Sequence, residues 1–341
     1  MIESFFNYAD TKDCSDIHIA SNSVAMIRID GDISPIINCS ILTAKQVEEM
    51  LYSIMSEKQK KTYQENLELD FSVTSQSGTR FRANAFFTIN GPAISLRKIS
   101  SKIKTIAELE IPESISRLAS FGKGLILLVG SAGTGKSTTI AALLDQINNN
   151  YSRHIITIED PIEFIHQDKK SLISQREVGF NTLSFDNALR SALRQDPDVI
   201  MVGEMRDVET IRFALTAAET GHLVFATLHT NSASQTINRI VDIFPGEDKL
   251  LARAMLSTSL SAIISQKLLK KVGGGRIAAH EILLATPAIR NLIREDKIPQ
   301  IDSMISLGRK DGMCLMKESI KELFAKGLIS QEELENSNEI I

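Results

Sequence analysis

Eight consecutive residues, Gly130-Ser131-Ala132-Gly133-Thr134-Gly135-Lys136-Ser137, constrain this chain more than any other stretch, because they match GxxxxGK[ST] in full. The pattern carries meaning only between a strand and a helix. There the glycines let backbone N–H groups turn towards phosphate oxygens, and the helix N-terminus adds a favourable field. Both flanks are present. Leu125–Val129 is an unbroken apolar run, as a central parallel strand requires. Lys136–Ile147 places Ile140, Leu143, Leu144 and Ile147 on one helical face. In that setting Lys136 reaches the β- and γ-phosphates of a nucleotide and Ser137 ligates Mg²⁺, with Thr138 extending the nucleotide-binding stretch into the helix.

The rest of the chain supplies a sheet around this strand. Strands are predicted at Ile155–Ile158, Asp198–Val202 and Leu223–Thr227, and helices at Phe185–Arg194, Val208–Glu219 and Asp248–Ile264. Such alternation implies a parallel α/β sheet. Arg276–Leu284 reads as a strand, and from about residue 287 the tail reads as helical.

Residues 1–98 read differently, as a small α+β unit. Asp16–Ala20 and Val24–Asp30 are short and β-rich, with a turn signal at Asp30-Gly31, and Thr43 with Gln46 forms a capping box ahead of Val47, Met50, Leu51 and Ile54. Between Thr79 and Ile89 the residues Phe81, Ala83, Ala85 and Phe87 alternate with Arg80, Arg82 and Asn84. A two-residue turn at Asn90-Gly91 would pair Ala85 with Leu96 and Phe87 with Ile94, and set Arg97 opposite Asn84 and diagonal to Arg82. Residues 99–113 read as a linker, and 114–341 as the second domain.

A length of 341 residues suits two domains. With 38 Lys and Arg against 42 Asp and Glu, the net charge of -4 gives no footprint for nucleic acid, and none is expected as a partner. The N-terminus lacks a signal-peptide pattern, and no apolar run approaches the ~20 residues that span a bilayer, so a cytoplasmic location is expected. Cys14, Cys39 and Cys314 are scattered, which argues against a zinc site or disulfide framework.

Beyond the loop, four groups of residues suggest chemistry. Asp198–Glu204 is an apolar strand ending in a carboxylate, but Gly203 stands where a Mg²⁺-linked aspartate is usual. Glu204 then acts through a metal-bound water or orients the attacking water itself. Ile156–Phe164 ends a strand with Glu159, Asp160 and Glu163, any of which can accept a proton from that water. His222 and His229 bracket the strand Leu223–Leu228, as phosphate sensors or as structural residues. Arg80, Arg82 and Arg97 form a cationic sheet face, either solvated or presented to a phosphate across a boundary.

In this order and spacing, the loop, Ile156–Phe164, Asp198–Glu204 and Thr220–His229 resemble the secretion and pilus ATPase superfamily of type II secretion and type IV pilus motors. Gly203 is itself usual there. Ala288–Glu295 (AIRNLIRE) and Gly273–Glu281 are similar to the retraction branch, and the chain lacks the paired-cysteine zinc loop of the assembly ATPases. Ser131-Ala132 stands where a proline-threonine pair is common. The resemblance implies a homohexameric ATPase using ATP and Mg²⁺, with an N-terminal PAS-like domain and a RecA-like domain in each subunit. It implies that Glu204 and Glu163 are the catalytic carboxylates, that His222 and His229 sense γ-phosphate or an interface, and that Arg82 and Arg97 complete the site. It also implies peripheral association with the inner membrane through a pilus platform protein. The Ala288–Glu295 helix, with Ile289, Leu292 and Ile293 on one face, is expected to transmit or dock.

Overall fold

The computed structural model describes residues 1–12, 14–29, 32–99 and 102–338, so the expected turn at Asp30-Gly31 lies outside the described residues. The chain divides into two compact units, Met1–Lys102 and Ile103–Ile341. Among the described residues no helix is long and apolar enough to cross a membrane.

The first unit runs α1 (Ile2–Thr11), β1 (Asp16–Ala20), β2 (Met26–Ile29), β3 (Asp32–Pro35), α2 (Ala44–Ile54), α3 (Glu57–Asn66), β4 (Glu68–Thr74), β5 (Arg80–Thr88) and β6 (Gly91–Ile99). Its six strands form an antiparallel sheet in the order β3-β2-β1-β6-β5-β4. One face buries Ile17, Phe81, Ala83, Ile94 and Leu96 together with Phe6 of α1 and Leu51 of α2. The capping box of Thr43 and Gln46 starts α2 as the spacing requires. Helix α3 has a second box, Ser56 with Gln59, and buries only Tyr63, so it has no apolar stripe for periodicity to find.

The β5–β6 hairpin keeps the expected faces but shifts register by two residues. Ala85 pairs with Ile94, Phe87 with Pro92, and Arg82 lies directly opposite Arg97. Proline selects this register. A two-residue turn at Ile89-Asn90 makes Thr88 and Gly91 the hydrogen-bonded closing pair and leaves Pro92 in a non-hydrogen-bonded pair, where its missing N–H costs nothing. A turn one residue later would have required Pro92 to donate. Because side chains alternate with period two, the shift leaves the apolar face intact.

The second unit runs α4 (Glu113–Ser116), β7 (Gly124–Val129), α5 (Lys136–Asn150), β8 (His154–Glu159), β9 (Leu172–Glu177), α6 (Phe185–Ala192), β10 (Val199–Val202), α7 (Val208–Glu219), β11 (Leu223–Leu228), α8 (Ala233–Asp242), α9 (Lys249–Ser259), β12 (Leu260–Lys270), β13 (Arg276–Leu284), α10 (Pro287–Arg294), α11 (Ile301–Leu307), α12 (Met316–Ala325) and α13 (Gln331–Asn338). The sheet order is β13-β12-β7-β11-β10-β8-β9, parallel except for β13. Strand β7 shows why such strands read as continuous apolar runs: Leu125, Leu127 and Val129 enter one core, while Ile126 and Leu128 enter the other beneath α5.

Three expectations change here. The helix expected over Asp248–Ile264 stops at Ser259, and Leu260–Lys270 is a strand between β7 and β13. A short buried apolar run has the same composition in either state, and the open place beside β7 decides it. The stretch read as a linker packs Ile106, Leu109 and Ile111 into the core beneath α5. On α10 the apolar face is already used: Ile289 and Ile293 are buried and Leu292 packs against the same core. Arg290 ties α10 to the end of α9, donating to the carbonyls of Ser257 at 3.0 Å and Ala285 at 2.9 Å.

Glu281 of β13 is buried and accepts from the N–H of Ala233 at 2.8 Å and of Met316 at 3.5 Å, the first residues of α8 and α12. One carboxylate therefore caps two helices. Burial nevertheless pushes its carboxyl above the usual range. Glu281→Ala should lower unfolding stability by about 1–3 kcal/mol, the cost of leaving buried donors unpaired, and Glu281→Gln by less. Urea midpoints of the two variants check this.

Candidate active site

The loop expected to hold phosphate lies at the carboxyl edge of the parallel strands, between β7 and α5, where such sheets leave a crevice for ligands. Gly130 has φ +144°, and a Cβ there would meet the carbonyl oxygen of Gln266 at 2.5 Å, so only glycine fits this corner. Lys136 is buried, and its Nζ donates to the carbonyls of Gly130 at 2.7 Å and Ser131 at 2.9 Å. Burial draws its pKa below the ordinary lysine value, while the carboxylates of Glu204 and Glu163 partly oppose that. Lys136 and both carboxylates thus lie near one another at a single edge.

Ser131, Ala132 and Gly133 are exposed and Ser137 and Thr138 half-buried, so the loop and the first turn of α5 are open on one side. The Ser131 hydroxyl donates to Asn231 Oδ1 at 3.1 Å, and Ser265 donates to the carbonyl of Asn231 at 2.7 Å.

Glu204 follows β10, and each of its oxygens has a partner. Arg206 holds Oε2 through Nε at 2.9 Å and a second nitrogen at 2.8 Å, and His229 Nε2 lies 3.2 Å from Oε1. Burial alone would raise its carboxyl; Arg206 and His229 outweigh that and hold it below the usual range. Space beside Gly203 is tight. A Cβ there would come within 3.1 Å of the Ile158 carbonyl and 3.4 Å of the Glu159 backbone. The Gly203 N–H donates to that Ile158 carbonyl at 2.9 Å, and its own carbonyl accepts from the Thr227 hydroxyl, so a side chain there would require β10 and β8 to give by a few tenths of an ångström.

The carboxylates at the end of β8 have separate environments. Glu159 is buried against the Thr157 hydroxyl at 2.6 Å and Gln175 at 3.2 Å, and burial raises its pKa. Glu163 is exposed.

The histidines part company. His229 is at the carboxyl end of β11, beside Glu204, whereas His222 precedes the strand and sits with Nδ1 2.9 Å from the Ala217 carbonyl and 3.2 Å from the Thr220 hydroxyl. At about 3.3 Å per residue the two are roughly 20 Å apart, so His222 does not reach the phosphate loop. The arginines belong to the first unit. Arg97 is pinned to Asp16 by a 2.8 Å bond from Nε, and Arg82 lies across the hairpin from it with Asp70 at 3.9 Å. Both are exposed.

Sequence reasoning missed Arg206, Asn231 and Gln266. Arg206 had a signal, a cation two residues past a candidate catalytic carboxylate. Gln266 had none, because its strand was read as helix up to Ile264.

The site agrees with what the chain is similar to. The family profile described as "Type II/IV secretion system protein" matches residues 1–274. The type IV pilus retraction ATPase PilT of Pseudomonas aeruginosa is 54% identical over 331 residues, covering 97% of this chain and 96% of that protein. A twitching motility protein of Neisseria gonorrhoeae is 54% identical over 308 residues, covering 90% and 82%. The crystal structure of the pilus retraction motor PilT with bound ADP superposes with a TM-score of 0.92 at 46% identity, covering 98% of this chain and 95% of that one. The mixed α/β fold with its two sheets is the fold of that motor. The chain belongs to the type II/IV secretion system protein family.

Proposed function

We propose that this chain is the ATP-hydrolysing motor subunit that drives type IV pilus retraction and hence twitching motility. The observation that carries it is the convergence of Lys136, Glu204, Glu163 and His229 on the open glycine loop, in a chain 54% identical to a retraction ATPase over 97% of its length. In this reading the first unit is PAS-like, the second is RecA-like, and six copies form a ring. The ring works on the cytoplasmic face of the inner membrane against a pilus platform protein.

The chemistry asks for positioning and charge stabilisation more than covalent steps. The two bonds from Lys136 to loop carbonyls satisfy its ammonium before phosphate arrives, and β- and γ-phosphate oxygens take their place. Glu204 is the first choice to orient the attacking water and take its proton, once the γ-phosphate draws Arg206 and His229 away from its oxygens. Glu163, exposed on the neighbouring strand end, is the second carboxylate. Arg82 and Arg97 supply guanidinium groups to a phosphate, and His222, away from the loop, serves an interface.

The residues fit Mg²⁺. It takes hard oxygen ligands and keeps several waters, and Ser137 and Glu204 offer a hydroxyl and a carboxylate. Among the described residues no group of three His, Cys, Asp or Glu forms a cage, so phosphate oxygens and water would supply most of its ligands. When bound it neutralises charge on the phosphates.

With its apolar face buried, α10 offers Ala288, Asn291, Arg294 and Glu295 to a partner in place of the leucine and isoleucines.

Lys136→Ala should lower ATP turnover roughly 100-fold or more, and a strain carrying it should keep extended pili that fail to retract. Glu204→Gln should bind ATP near wild-type strength while phosphate release falls about 100-fold or more. Equal release would exclude Glu204 as the base, and a larger loss in Glu163→Gln would pass that role to Glu163.

A further inference from the structure

Strand β12 lies beside β7, and Ser265 pairs with Val129, so Gln266 comes level with the corner at Gly130. Ala262 and Ile264 enter the core beneath α5, and the strand period places residue 266 on the same face. Here the row of aliphatic residues is interrupted by a glutamine that is 3% exposed. A buried amide is costly unless both ends are hydrogen-bonded. Both are, and both bonds go to the loop and its helix. Nε2 donates to the Thr134 carbonyl at 2.8 Å, and Oε1 accepts from the Thr139 hydroxyl at 2.8 Å. The same residue limits two loop glycines. Its carbonyl stands where a Cβ on Gly130 would be, and its Nε2 would lie 2.9 Å from a Cβ on Gly135.

The bond to Thr134 has a directional consequence. A trans peptide is planar, with its C=O and N–H pointing to opposite sides. Holding the Thr134 carbonyl towards β12 therefore turns the N–H of Gly135 away from β12. We infer that Gln266 is a positioning residue for nucleotide binding: its amide locks the Thr134-Gly135 peptide so that the Gly135 N–H is aimed at phosphate before phosphate arrives. Oxygens of a nucleoside di- or triphosphate are the recipients. This rests on the reading of Gly130–Ser137 as the nucleotide site. The loop then enters binding pre-organised, and losing the clamp costs affinity, because binding must order the peptide itself.

The test uses the full-length protein and ADP as the probe. Gln266→Leu continues the aliphatic row, and Gln266→Glu keeps an acceptor for Thr139 but sets a second oxygen against the Thr134 carbonyl. Both should weaken ADP binding roughly tenfold, the effect of one or two hydrogen bonds. Gln266→Leu leaves the buried Thr139 hydroxyl unpaired and so also lowers the unfolding temperature without nucleotide; adding Thr139→Val removes that hydroxyl and should restore stability without restoring ADP affinity, a split that a merely structural role does not give. Thr139→Val should weaken binding less, and combined with Gln266→Leu it should add nothing further, since the two share one network. ADP affinity within twofold of wild type in Gln266→Leu, or full additivity in the double variant, overturns the inference. If Gln266→Leu does not fold, Gln266→Glu and Thr139→Val decide by the same criteria. Lys136→Ala is the control. If it binds ADP like wild type, the reading of the loop has failed; if it loses ADP while the Gln266 variants keep it, only the clamp has.

Discussion

The second unit depends on how β7 ends. A parallel strand buried on both faces must release its chain at one edge of the sheet, and the chain must turn back at once to start α5. At Gly130 that turn runs under the carbonyl of Gln266, a place that excludes any side chain. The turn brings backbone donors and a helix N-terminus to the same edge. Because β7, β10, β11 and β8 are parallel, their carboxyl ends collect at that edge, and so do Lys136, Glu204, His229 and Glu163. The chemistry follows from the topology: residues up to about ninety positions apart meet because each closes a strand running the same way.

Charge at this edge is balanced before any ligand is present. The Lys136 ammonium is satisfied by two loop carbonyls, and the Glu204 carboxylate by Arg206 and His229. Arg206 and His229 are about half exposed or more, and in the proposed function phosphate oxygens take the place of these contacts. Contacts around Gln266 and Thr139 are different. They are neutral and buried, and they leave no charge for phosphate to attract. The site thus combines an exchangeable set of charges with a fixed backbone.

Much of this was legible in the residues. The glycine loop, the strands on either side of it and the carboxylates at the strand ends follow from patterns with a single physical reading. Gly203 stands out in the sequence, but the close approach of the Ile158 carbonyl to it is tertiary and has no local trace. The run Leu260–Ile264 looked helical because an apolar stretch has no period of its own; its neighbour β7 makes it a strand. The hairpin register turned on whether Pro92 must donate, which depends on the closing pair rather than on the sequence of the turn. Distance along β11 separates the two histidines, which the sequence sets only seven positions apart. Arg206 and Gln266 act through partners that no spacing rule connects.

The most direct test of the account is a structure of the full chain with Mg²⁺ and a non-hydrolysable ATP analogue. In that structure Lys136 Nζ should leave the carbonyls of Gly130 and Ser131 for β- and γ-phosphate oxygens, while Gln266 keeps its bonds to Thr134 and Thr139. Phosphates bound away from the Gly130–Ser137 loop, or a Lys136 still held by the two carbonyls with nucleotide in place, would contradict it.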